Sequence, residues 1–179
     1  RIKFWEEIYG QPGKTPIHLY TRSDACGAAE TWAAFLGGHQ EDLKGIAIYG
    51  DPGLAEAVRQ DPTGLGFNNL NFAYHPQTGR PHPGLAIGPL DLDGNGQLTP
   101  EENFYGQRDE LTLAISRGLY PSPPARNLYL VVKKPVKQTL VRDFLLWVLD
   151  RGQQYAAEAG YLALDQSLAQ TEKQKLLEN

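Results

Sequence analysis

"TRSDACGAAETW", residues 21–32, follows a β-prone run, "IHLYT" (17–21), and opens a stretch of helical spacing. Strand, small-residue turn and helix in that order mark an α/β chain. Such a turn leaves backbone N–H groups at the helix start free and places the positive end of the helix dipole beside them. Gly27 and Ala28 carry little bulk, so an anionic oxygen can approach their amides. Arg22, at the strand end, offers a guanidinium that can grip two oxygens. Asp24 should repel an anion, unless that anion carries a proton. A carboxylate accepts a hydrogen bond from a P–OH group but meets only lone pairs on a fully deprotonated oxyanion, so the pair suits phosphate and penalises sulfate. A plainer reading makes Asp24 the N-cap of the helix, with Arg22 its surface partner.

Outward from this motif, Ala28, Thr31, Trp32 and Phe35 recur at helical spacing until Gly37–Gly38. On the near side, residues 1–9 suit a short helix with Ile2, Trp5, Ile8 and Tyr9 on one face, ended by "GQPGKTP". On the far side, "GIAIYG" (45–50) has the pattern of a buried strand, and "DPGLAEAVRQ" (51–60) a helix with Asp51 as N-cap and Pro52 at its first position. "GLGFNNLNFAY" (64–74) predicts a strand and turn, and residues 75–89 a long Pro/Gly-rich loop. "DELTLAISRG" (109–118) is helical up to Gly118, "YPSPPA" (120–125) is extended, and "NLYLVVKK" (127–134) carries the clearest strand pattern of the chain. Two helices follow, breaking near Arg151–Gly152 and stopping at Gly160, then a polar, weakly amphipathic helical tail from Asp165. The expected architecture is a mixed sheet flanked by helices.

The 179 residues are 41% hydrophobic and 21% charged, within the globular range, so disordered and fibrous classes drop out. A formal net charge of −4 argues against a general nucleic-acid or anionic-membrane surface but leaves room for a local anion site. With Cys26 as the single cysteine, neither an internal disulfide nor a cysteine-based zinc site can form. No run reaches the ~18 apolar residues of a membrane span. The opening "RIKFWEEIYG" has no signal-peptide core and reads as continuing from an N-terminal portion outside this sequence.

"TRSDACGAAETWAAFL" resembles the Arg-x-Asp-x-Ser-Gly-Thr segment and Phe-bearing helix of the substrate-binding component of phosphate ABC transporters. "DPTGLGFNNLNFAY", "RGLYPSPPARNLYLVVKK" and "DFLLWVLDRGQQYAAEAGYLAL" resemble later segments of that family in the same order, and together they span most of residues 17–165. The resemblance implies one lobe of a type II periplasmic-binding-protein fold, with residues 1–179 a single binding domain and 120–179 a segment returning toward another lobe. It implies a non-catalytic protein that captures phosphate or a similar oxyanion for ABC-type import or sensing, with a membrane permease as partner. It places the chain in the periplasm or outside the cell; a membrane tether would lie outside this sequence. Arg22 and Asp24 would hold the oxyanion with Cys26, Gly27 and Ala28. Cys26 stands where Ser is usual and Ala28 where Thr is usual, so two hydroxyl donors are lost while the amides remain. A dimer could complete the cleft. The alternative on the same fold is an interaction or scaffold module with a decayed anion site.

"DLDGNGQLTPEE" (91–102) matches the twelve-residue EF-hand loop. Asp91, Asp93 and Asn95 fill the first, third and fifth positions, with Gly96 at the sharp turn. Gln97 offers its carbonyl, Leu98 is the inward apolar residue, Thr99 takes the ninth position, and Glu102 can chelate with both oxygens. Hard oxygens at this spacing suit Ca²⁺ over Mg²⁺. The plainer reading is a "DGNG" turn followed by a "TPEE" capping box that starts a short helix. Gly88 and Pro89 break the incoming helix of a sensor pair, so the expected role is structural, at the weak extracellular end of the affinity range.

His18, His39, His75 and His82 show no ligand spacing. Cys26 lacks a base nearby in sequence, so a thiol hydrolase is not expected. Trp5, Trp32 and Trp147 lie on apolar helical faces and are expected in the core.

Overall fold

The computed structural model describes residues 2–178. Arg1, in the predicted N-terminal helix segment, and Asn179, at the end of the tail, lie outside the described residues. The chain forms two compact units, Arg1–Arg126 and Asn127–Asn179.

The first unit holds a three-stranded parallel sheet in the order β2-β1-β3, with β1 His18–Arg22, β2 Ile46–Ile48 and β3 Gly64–Leu65. It is parallel rather than mixed because both connections between strands pass through a helix, which returns the chain in the same direction. Helix α2, Gly27–Phe35, links β1 to β2, and α3, Asp51–Gln60, links β2 to β3 and packs on all three strands. Among the described residues, antiparallel pairing is confined to isolated bridges at Phe4–Pro16 and Tyr74–Pro81. Short helices α1, Trp5–Tyr9, and α4, Leu70–Ala73, precede the long loop and α5, Arg108–Ser116, beyond whose cap Gly118 turns the chain at φ 71°, the stop its sequence indicates.

Several local expectations change. Helix α3 is capped by Gly50, not Asp51: Gly50 has φ 73°, a conformation that residues with a Cβ rarely adopt, and the turn there moves the cap one residue upstream. Asp51 therefore sits inside the first turn with its carboxylate free for other partners. Strand β2 is an exposed edge, Ile46 included, because it has one neighbour only. Of 64–74, two residues are strand and 70–73 are helical. "YPSPPA" bends into a turn, with the Ala125 amide donating to Pro121 O at 3.1 Å, instead of running extended.

The core of this unit gathers Tyr74, Tyr105 and Leu111, with Leu70, Ile87, Phe104, Ile115 and Tyr120 packed around them. Tyr74 donates from its hydroxyl to Tyr105 O at 2.9 Å. Burial pushes the Tyr120 phenol up to about 12 and raises Tyr74 as well, so both remain protonated throughout the neutral range. Trp5 and Trp32 are half-buried; Trp32 stacks on Phe67, and Trp5 donates to Thr63 O at 3.1 Å. At the sheet's other end His18 Nδ1 lies 2.7 Å from Asp61, which also accepts from Tyr20 at 2.9 Å. The sequence keeps His75 and His82 apart, but the bridge at Tyr74–Pro81 brings their rings to 5.5 Å.

In the second unit α6, Thr139–Val148, is followed by a 3-10 turn, Arg151–Tyr155, rather than a second α-helix, and then by α7, Gln166–Leu177, capped by Asp165. Residues 127–134 form no strand. Their apolar side chains need a neighbouring strand to complete a ladder, and among the described residues none pairs with them. Leu128, Tyr129, Leu130 and Val131 are exposed accordingly. Trp147 is also largely exposed, stacked between Phe144 and Tyr155 rather than buried in a core.

Candidate functional site

Strand β1 delivers Arg22 to the edge of α2. The guanidinium donates from Nε to Asp24 Oδ1 at 2.9 Å and from Nη2 to Asp24 Oδ2 at 2.5 Å, the two-pronged geometry expected of an arginine–carboxylate pair. Nη1 donates to Asp51 Oδ1. Asp51, which its sequence position marks as a helix cap, thus joins the Arg22 cluster instead. Arg22 is buried, with 6% of its side chain exposed, while Asp24 and Asp51 retain 27% and 21%. The guanidinium and the Gly50 amide, 3.1 Å from Asp24 Oδ1, hold the Asp24 carboxyl well below the usual carboxylate range.

Asp24 does not cap α2. Cys26 does, its Sγ accepting from the Ala29 amide at 3.4 Å. Gln40 locks the turn, donating to Asp24 O at 2.8 Å and accepting from the Cys26 amide at 3.1 Å. Glu30 accepts from the Gln40 amide at 2.9 Å and meets His39 Nδ1 at 3.0 Å. Among the described residues, the amides of Gly27 and Ala28 have no protein acceptor, as expected of the first turn of a helix. The Arg126 guanidinium packs against Gly27: a Cβ there would lie 2.8 Å from Arg126 Cζ. Nothing in the sequence links these two positions; the chain's path alone brings them together.

Sulfur is a weak acceptor, so Cys26→Ser should retain the cap and strengthen it by about 0.5 kcal/mol. Urea unfolding should register the gain, and a net loss of stability would show that the thiol is held by packing rather than by the Ala29 amide.

The second cluster is the 91–102 loop. Asp91 accepts from the amides of Gly94 and Gly96, each at 2.8 Å, and of Asn95 at 3.2 Å. Asp93 accepts from the Asn95 amide at 3.0 Å, and Asn95 from the Gln97 amide at 2.7 Å. Gly96 turns the chain at φ 77°. Asp91, Asp93 and Glu102 each offer a carboxylate oxygen, all within 4.8 Å of one another. Glu102 is the buried member. It accepts from the Leu92 amide at 2.6 Å and from both the amide and the hydroxyl of Thr99, at 3.1 and 2.9 Å. These bonds, the Thr99 amide foremost, lower its pKa. The Thr99 hydroxyl is therefore engaged with Glu102. Leu98 is exposed rather than inward, and "TPEE" makes one turn instead of a helix.

The three carboxylate oxygens that come together are hard donors of the kind a divalent cation such as calcium takes. No other cluster of three metal-ligating side chains occurs among the described residues.

The architecture these observations define is a helix-flanked parallel sheet of an α/β protein. No protein-family model matches the sequence, and no curated protein matches it. Among solved structures the chain is similar to "a possible phosphate binding protein from Planctomyces limnophilus DSM 3776", at 16% identity and a TM-score of 0.46. The match covers 99% of this chain and 59% of that one.

Proposed function

We propose that the chain captures a protonated tetrahedral oxyanion, phosphate above all, without transforming it. The observation that carries this reading is the pair of acceptor-free amides at Gly27 and Ala28, beside an arginine whose guanidinium is held by Asp24. The amides donate to unprotonated oxygens, and Asp24 accepts from a P–OH group. The lobe would belong to a type II periplasmic-binding-protein-like fold serving import or sensing outside the cytoplasm, with a membrane permease as its partner. Calcium on Asp91, Asp93, Asn95, Gln97 and Glu102 would be structural, with Thr99 positioning Glu102.

A site open to water screens each contact, so binding by this chain alone is expected near the millimolar range, about −4 kcal/mol, unless two copies close on each other. Titration with inorganic phosphate, followed through the ¹H–¹⁵N signals of Gly27 and Ala28, should shift both amides, and sulfate at equal ionic strength should leave them nearly unmoved. Equal shifts with sulfate would overturn the role of Asp24.

The burial of Arg22 behind two carboxylates favours a second reading, an interaction module in which Arg22 is a structural tie. Amides indifferent to phosphate in a chain still stabilised by calcium would select that reading.

A further inference from the structure

We propose that Glu30, His39 and Gln40 form a proton-operated latch, which fastens the Asp24–Cys26 turn to α2 and loosens when His39 loses its charge. The latch needs no ligand at Arg22. Gln40 is its centre. The Gln40 side chain bridges the turn, donating from Nε2 to Asp24 O at 2.8 Å and accepting at Oε1 from the Cys26 amide at 3.1 Å. Its backbone is held from the other direction, because Glu30, in the first turn of α2, accepts from the Gln40 amide at Oε2 over 2.9 Å. The second carboxylate oxygen of Glu30, Oε1, faces His39 Nδ1 at 3.0 Å. Asp42 accepts from the His39 amide at 2.9 Å and returns a bond from its own amide to His39 O, also at 2.9 Å. The imidazole is thereby tied to the 3-10 turn Gln40–Asp42 that carries the bridging side chain.

Protonated His39 is a donor at both ring nitrogens, and its bond to Glu30 is charge-assisted. Neutral His39 donates from one nitrogen only. With the proton on Nε2, Nδ1 turns a lone pair toward the carboxylate and the contact becomes repulsive. With the proton on Nδ1, the bond survives without its charge. Either way the hold on Glu30 weakens. The charges acting on His39 are those of Glu30 on α2 and of Asp42 and Glu41 on its own turn, all of them negative. Deprotonation removes the cation that sits among these three carboxylates, and their mutual repulsion then drives the turn away from α2.

The Glu30 hydrogen bond, foremost among these influences, raises the His39 pKa. The latch is therefore fully engaged below the ordinary histidine value of about 6.5 and is lost as pH rises through the raised one. The His39 side chain is 78% exposed and that of Glu30 51%. Protons reach such a pair directly from solvent, and water and salt screen it. Its effect is accordingly local: it governs how often the Asp24–Cys26 turn opens rather than how stable the whole fold is.

The test is hydrogen exchange of the Cys26 amide in the full chain, corrected for base catalysis, with the His39 ring signals followed in the same samples. Protection of that amide should fall roughly two- to fivefold across the His39 titration, the size of effect open to an exposed ion pair. The fall should shrink in high salt. Glu30→Gln keeps an oxygen for the Gln40 amide but removes the charge, so it should lower the His39 midpoint and flatten the Cys26 profile. His39→Asn should flatten the profile as well. Cys26 protection that stays constant while His39 titrates overturns the proposal, and so does a fall of native size in either variant. The native profile decides by itself if the variants fail to fold.

Discussion

Tyr74→Ala is expected to destabilise the Arg1–Arg126 unit by about 3–5 kcal/mol, the range for removing a large aromatic side chain from a core. Tyr74 is 1% exposed and lies at the centre of the cluster with Tyr105 and Leu111. Among the described residues Leu54 is the other large side chain buried to the same degree. Total stabilities of domains this size are about 5–15 kcal/mol, which makes the loss a large fraction of what holds the unit together. The damage should also spread toward the loop at 91–102. Tyr74 donates to the Tyr105 carbonyl, and the Tyr105 hydroxyl accepts from the Leu90 amide at 3.2 Å, immediately before Asp91. Tyr74→Phe retains the ring and removes that hydrogen bond alone, at a cost of ~1 kcal/mol. Urea unfolding of the two variants separates packing from polar anchoring; equal losses in both would place the whole effect in the hydrogen bond.

Calcium is expected to raise the melting temperature by roughly 5–10 °C when free ion stands a hundredfold above its Kd, corresponding to ~2.7 kcal/mol of linkage. The Asp91, Asp93 and Glu102 oxygens lie within 4.8 Å of one another, and their mutual repulsion opposes the closed loop. A divalent cation converts that repulsion into attraction. Magnesium, with its strict octahedron and tightly held water, should do far less. Asp91→Ala or Glu102→Gln should abolish the difference between calcium and chelator. Acid should have a related effect. Hydrogen bonds from Thr99, Leu92 and Asp93 lower the folded-state pKa of Glu102, so its contribution is present above the ordinary glutamate value of about 4.3. That contribution is lost as pH falls through the depressed value. A melting curve indifferent to calcium, chelator and both substitutions would leave the loop as an Asx turn followed by a capped turn, held by its own hydrogen bonds.

The elements most legible in the sequence are those whose information is local. β1, α2, α3 and α5 announce themselves through apolar spacing and Gly stops, and α7 through a polar helical tail, because a helix or a short strand is specified by residues within a few positions of one another. The 91–102 loop is legible for the same reason: each Asx hydrogen bond in it spans five residues or fewer. Arg22 and Asp24, two apart, could be paired on sight.

What the tertiary structure decided concerns partners distant in the chain. Asp51 reads as a cap until Gly50 takes that position and the β1–β2 register sets Arg22 opposite Ile48, which brings α3's first turn to the guanidinium. Arg126 reaches Gly27 only through the path of the whole unit. "NLYLVVKK" has every local property of a strand and remains unpaired, since a ladder exists only where a second strand supplies the facing donors and acceptors. Local propensity travels with the residues themselves. Pairing, burial and the charge balance around Arg22 belong to contacts that the linear order does not encode.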